Sequence, residues 1–167
     1  MASPSRYAFR SATELDLPLL RRWLETSEVR RWWGDPDEQE RLLREDLDEP
    51  LMEMLIVSLD GRPFAYAQHC PVDGWPQAHL ERLPPEARAI DAFIGEPDLL
   101  DHGHGSAFLR ELAEQLVAAG APAVVIDPDV ENTRARRAYA RAGFAGDEVV
   151  ESDDGPVVLM TFGGEPR

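Results

Sequence analysis

Residues 99–112 read LLDHGHGSAFLREL. Two glycines, Gly103 and Gly105, stand ahead of a segment whose apolar residues recur at helical spacing. A helix N-terminus carries unpaired N–H groups and partial positive charge, and glycine there lets an anion approach the main chain. The stretch reads as a glycine turn followed by a helix over about 105–119, with Gly120 as its stop. A pyrophosphate would suit such a turn, although a plain tight turn before a helix looks the same. The dinucleotide pattern G-x-G-x-x-G is not completed, because Phe108 holds the third position.

The flanking segments place this turn in a fold. Upstream, ARAIDAFIG (87–95) is a short apolar strand with one acid, Asp91, inside it. Downstream, APAVVIDPD (121–129) is a buried strand ending in acids, and ENTRARRAYARAGF (131–144) is a helix closed by Gly143. FAGDEVVESDDGPVVLMTF (144–162) reads as a hairpin turning over Asp154-Gly155. Nearer the N-terminus, YAFRSAT (7–13) alternates like a strand. Thr13 would cap a helix over ELDLPLLRRWLETS (14–27), and Pro36 would open a second helix over 36–47. Residues 52–70 form strand, Asp60-Gly61 turn and strand, and 71–86 are loop. The order βααβββαβαββ implies one α+β domain over 1–167, with a mixed, twisted sheet of about seven strands and helices on both faces.

Composition narrows the function. The chain has 167 residues, 43% of them hydrophobic and 29% charged, as expected of a globular domain. No apolar run approaches the ~20 residues of a membrane span. The N-terminal stretch lacks a secretory h-region, which points to a cytoplasmic protein. A single cysteine, Cys70, excludes an internal disulfide and a four-cysteine zinc site. His102 and His104 flank Gly103 without an evident third ligand, so no metal is expected. All 17 basic residues are arginine, which rules out a Schiff-base lysine and a Walker-type phosphate lysine. The net charge of −15 repels nucleic acid and anionic membranes and attracts cations.

Taken together, the glycine turn and the later helix resemble the GNAT N-acetyltransferase superfamily. LLDHGHGSAFLREL is similar to its [QR]-x-x-G-x-[GA] acetyl-CoA loop, and ENTRARRAYARAGF to its N-x-x-A-x-x-x-Y-x-x-x-GF helix. Within the superfamily the chain looks most like the aminoglycoside 6'-N-acetyltransferases. The pieces are RRWWGD, GRPFAYAQ, DGW, RAIDAFIG, IDPDVENTRARRAYARAGF and DGPVVLMTF, spread from the first third to the C-terminus. Two departures are Asp101, an acid in the phosphate loop, and a single tryptophan after Asp73-Gly74 where members often carry two.

The resemblance implies acetyl transfer from acetyl-CoA to a primary amine of a cationic aminoglycoside, by direct transfer in a ternary complex, in a monomer or homodimer. Such an amine is mostly protonated near pH 7, so a carboxylate must hold the cation and accept a proton. Asp91 fits, directly or through water, because an acid inside an apolar strand is costly unless it is used. The alternative is an acid paired with Arg88. Tyr139 fills the superfamily's tyrosine position, as donor to the departing thiolate; the alternative is packing on the sheet. Backbone N–H groups around Phe93 and Ile94 would face the thioester oxygen.

The loop His102, Gly103, His104, Gly105 and Ser106, with Asn132 and Arg136, would hold the cofactor; an N-cap role suits Asn132 equally. The acceptor side would draw on Trp32, Trp33, Tyr66, Gln68, Asp73, Trp75, Asp91, Asp127 and Asp129. Aromatic faces suit sugars and cations, and acids clamp ammonium groups. Other acceptors on the same fold are a polyamine, a siderophore precursor or a protein N-terminus. Asp101 leaves open a non-catalytic binding module.

Overall fold

The structure is a computed structural model and describes residues 3–163. Seven strands form one mixed sheet: β1 (Tyr7–Ser11), β2 (Glu53–Leu59), β3 (Arg62–Pro71), β4 (Arg88–Ile94), β5 (Val124–Ile126), β6 (Phe144–Ser152) and β7 (Gly155–Phe162). Their spatial order is β1-β2-β3-β4-β5-β7-β6. β4 and β5 are parallel, whereas β1–β2, β5–β7 and β6–β7 are antiparallel. The helices are α1 (Leu17–Leu24), α2 (Ser27–Trp33), α3 (Pro36–Asp46), α4 (His104–Ala118) and α5 (Thr133–Ala142). Among the described residues no helix is long and apolar enough to cross a membrane.

The first expected helix differs most from its reading. Thr13 does cap it, and Asp16 answers through the Thr13 N–H at 2.9 Å, but Glu14–Asp16 is a 3-10 turn and α1 stops at Leu24. Thr26 is extended, with ψ 148°, and starts the separate α2, which carries both adjacent tryptophans. Seven residues rich in arginine show no apolar period, so α2 was not legible. The last hairpin turns over Asp153-Asp154, because Ser152 already pairs with Gly155. The Asp60-Gly61 turn is as read: both residues have positive φ, 48° and 87°, as a two-residue turn joining twisted strands requires.

The chain falls into two compact units, one comprising residues up to 68 together with 92–102, the other 69–91 and 103 onward. The first is built on the β1–β2 pair, in register from Tyr7–Leu59 to Ser11–Leu55. Leu17, Leu20, Trp23 and Leu24 of α1 pack with Leu43, Ile56, Tyr66 and Phe93. Trp23 is fully buried, and its indole N–H donates to the buried Glu96 at 3.0 Å; Arg22 reaches the same carboxylate at 2.7 Å. A buried carboxylate is tolerated because it is bonded in this way.

Gly95 lies beneath the indole, where an added Cβ would stand 2.1 Å from Trp23 Cγ. The ring is enclosed and tethered, so it has nowhere to move. Gly95→Ala is therefore expected to cost about 3 kcal/mol through overpacking, read as a lower urea midpoint with an unchanged slope.

In the second unit, Val72, Leu80, Ala87 and Val125 form a small core. The Ser106 hydroxyl donates to the Ala138 carbonyl at 2.9 Å, tying α4 to α5.

Candidate active site

The site of the second unit is set by how β4 meets β5. Their register pairs Arg88 with Val124 and Ala89 with Val125. The pairing stops at Ala89–Val125 and β5 ends at Ile126, so β4 outruns its partner, and Asp91 and Asp127 both lie beyond the last paired residues. Tyr139 of α5 feels both acids. Burial pushes its phenol well above the usual value, and the Asp91 and Asp127 carboxylates push it further in the same direction. A phenol held so high stays protonated at neutral pH and keeps its O–H available as a donor. Its ring packs against Phe144, centroids 6.4 Å apart.

Asp91 is exposed. The expense of burying an acid in an apolar strand therefore does not apply to it, which corrects the sequence argument for this residue. Arg88, its alternative partner, donates to His69 Nδ1 at 2.8 and 3.2 Å. Burial, and then the Arg88 charge, push the His69 imidazole down from 6.5 to about 4.

Between those two values the unfolded chain binds a proton that the folded chain refuses, so His69 makes stability rise with pH there and fall as pH drops toward 4. His69→Asn keeps an acceptor for Arg88 without the titration. The variant is expected to lose less stability than the parent between pH 6.5 and 4, as measured by urea midpoints across that window.

Asp127 is half-buried. Burial raises its carboxyl above the ordinary carboxylate range, a hydrogen bond from His79 lowers it, and the Asp154 charge raises it again. The other candidates at this end of the unit hold the turn into α5. Asp129 Oδ1 accepts from the Glu131 N–H at 2.8 Å. Asn132 Oδ1 accepts from the Ala135 N–H at 3.2 Å, so the capping role is the one observed. Arg136 Nη1 donates to the Val130 carbonyl at 2.9 Å. Together they orient the helix that carries Tyr139.

The start of α4 suits an anion. Gly103 is left-handed at φ 81°, a Cβ there would meet nothing within 4 Å, no side chain caps the helix, and its first turn holds no acid. Gly105 and Ser106 lie in that first turn, His104 is its half-buried first residue, and His102 is exposed. The exposed Asp101 precedes them with φ 63°.

On the loop after β3, Asp73 and Trp75 are exposed, Trp75 at 37%. The other aromatic candidates belong to the first unit. Trp33 and Tyr66 both pack on Phe93, at 5.1 and 5.3 Å between centroids. Tyr66 is fully buried and its hydroxyl donates to Gln68 Oε1 at 2.7 Å, so it is a core residue that positions Gln68 and not a wall for a sugar. Phe93 is buried and Ile94 half-buried. Trp32 is half-buried, with the Arg31 guanidinium 4.8 Å from its ring centre.

Sequence reasoning missed two residues that act on Asp127, His79 by a hydrogen bond and Asp154 by its charge. His79 sits in an aperiodic loop 48 residues away in sequence, and no spacing could have linked them. Asp154 stands in the DGP piece, where the sequence signals only a turn. Among the described residues no group of three or more His, Cys, Asp or Glu is placed to hold a metal.

The model of the acetyltransferase (GNAT) domain family matches residues 12–152. Aminoglycoside N(6')-acetyltransferase type 1 of Klebsiella pneumoniae is 34% identical over 163 residues, covering 90% of this chain and 80% of that protein. AAC(6')-Ib in complex with parmomycin and acetyl-CoA superposes with a TM-score of 0.83 at 30% identity, over 95% of this chain and 93% of that one. AAC(6')-Ib with coenzyme A and kanamycin superposes at 0.81 with 32% identity, over 93% of each chain.

Proposed function

The chain belongs to the GNAT acetyltransferase family, and from that membership we propose that it transfers acetyl from acetyl-CoA to the 6'-amine of an aminoglycoside. The relatives that bind parmomycin or kanamycin together with the cofactor cover nearly the whole chain. The family match runs through residues of both units, which supports reading 1–167 as one acetyltransferase domain. The observation that carries the site is the buried Tyr139 phenol, whose protonated form is favoured by burial and by the charges of Asp91 and Asp127.

Acetyl-CoA would supply an acyl group on a good leaving sulfur. Its pyrophosphate would lie on the uncapped N-terminus of α4, where Gly103 leaves the main chain open. Asp91 and Asp127 hold the ammonium groups of the acceptor, which the overall charge of −15 draws in. Asp91, exposed on β4, takes the proton that frees the amine lone pair, directly or through a water. As the C–N bond forms and the C–S bond breaks, the Tyr139 O–H donates to the departing sulfur. Full transfer of that proton to a thiolate of pKa about 8.5 runs uphill from so weak an acid, so Tyr139 stabilises by hydrogen bonding, and the thiolate takes the second proton that the nitrogen sheds as the amide forms, leaving as the thiol.

Thiol release from acetyl-CoA with kanamycin, spermidine and a peptide with a free N-terminus tests the acceptor class. Release with kanamycin well above the other two is expected. No release with kanamycin, or faster release with spermidine or the peptide, contradicts the proposal.

A further inference from the structure

We infer that His79 is a positioning residue for the acceptor, holding the Asp127 carboxylate in the orientation that receives an aminoglycoside ammonium group. The inference rests on the reading of Asp127 as an acceptor-binding acid. His79 Nε2 lies 2.7 Å from Asp127 Oδ2, and the His79 side chain is 2% exposed against 24% for that of Asp127. The ring is thus enclosed while its partner keeps a face toward solvent. A carboxylate has no donor of its own when ionised, so the ring N–H donates. The terminal torsion of an aspartate is broad and nearly two-fold, and one strong bond to a fixed oxygen is what selects an orientation.

The histidine is itself well placed to be rigid. It lies in the 3-10 turn Ala78–Leu80, whose Leu80 is buried with Val72, Ala87 and Val125. The base of this loop is closed by the Val72 N–H to the Ala87 carbonyl at 2.8 Å. The segment that carries Asp73 and Trp75 therefore also aims Asp127, the residue that follows β5. Asp154 adds a second negative charge near the same carboxylate, as a cation site would want.

The test compares His79→Ala, His79→Gln and Asp127→Asn by steady-state kinetics with acetyl-CoA and kanamycin. His79→Ala is expected to raise the kanamycin KM about tenfold, with kcat and the acetyl-CoA KM within about twofold of the parent. His79→Gln places an amide N–H near the lost Nε2 and is expected to bring the kanamycin KM back to within about threefold. If Asp127→Asn leaves the kanamycin KM unchanged, Asp127 is no acceptor clamp and the inference falls with that reading. If Asp127→Asn raises it but His79→Ala does not, or His79→Ala raises both KM values alike, the positioning role is overturned and Asp127 keeps its own. Should His79→Ala fail to fold, His79→Asn, whose donor is drawn back from Oδ2, gives the same comparison: a raised kanamycin KM supports the inference, and an unchanged one overturns it.

Discussion

Asp91→Asn is expected to lower kcat/KM for kanamycin by roughly a hundredfold, the usual yield of a positioned general base. Two losses combine. The amide cannot accept the ammonium proton, and it no longer balances the positive charge of the acceptor. The fold should not notice, because Asp91 is exposed on β4 and surface substitutions change stability by no more than about 0.5 kcal/mol. Steady-state thiol release, paired with a urea melt, measures both quantities. A kcat/KM within about twofold of the parent would show that the proton leaves by another route.

Tyr139→Phe is expected to lower kcat by between about tenfold and a hundredfold while leaving the KM for acetyl-CoA nearly unchanged, as befits a donor used only when charge builds on sulfur. The substitution keeps the ring that packs on Phe144, so lost packing cannot produce the effect. It also removes a group that burial and two carboxylates hold in its protonated form. An unchanged kcat would return Tyr139 to the alternative role, a helix tyrosine packed on the sheet.

The order of strands and helices was legible because each rests on local signals: apolar periodicity, a threonine cap, Asp60-Gly61 between two apolar runs, and glycine at the ends of α4 and α5. What escaped depends on atoms far apart in sequence. α2 has no apolar period to announce it, and its start is fixed by an extended Thr26. The bond from His79 to Asp127 joins a loop to the residue after β5, 48 residues away, and no local signal announces it. Burial was misjudged in both directions on the strands. Asp91 stands in an apolar stretch of sequence but lies exposed, whereas Tyr66, expected at the acceptor wall, lies in the core. A strand's apolar composition does not say which of its faces is covered.

The acetyl group's position on the product tests the account most directly. Kanamycin incubated with acetyl-CoA and the purified chain is expected to give one monoacetylated product, whose proton and carbon NMR place the acetyl on the 6'-nitrogen. An acetyl on any other amine, or kanamycin recovered unchanged while coenzyme A is left unreleased, would contradict it.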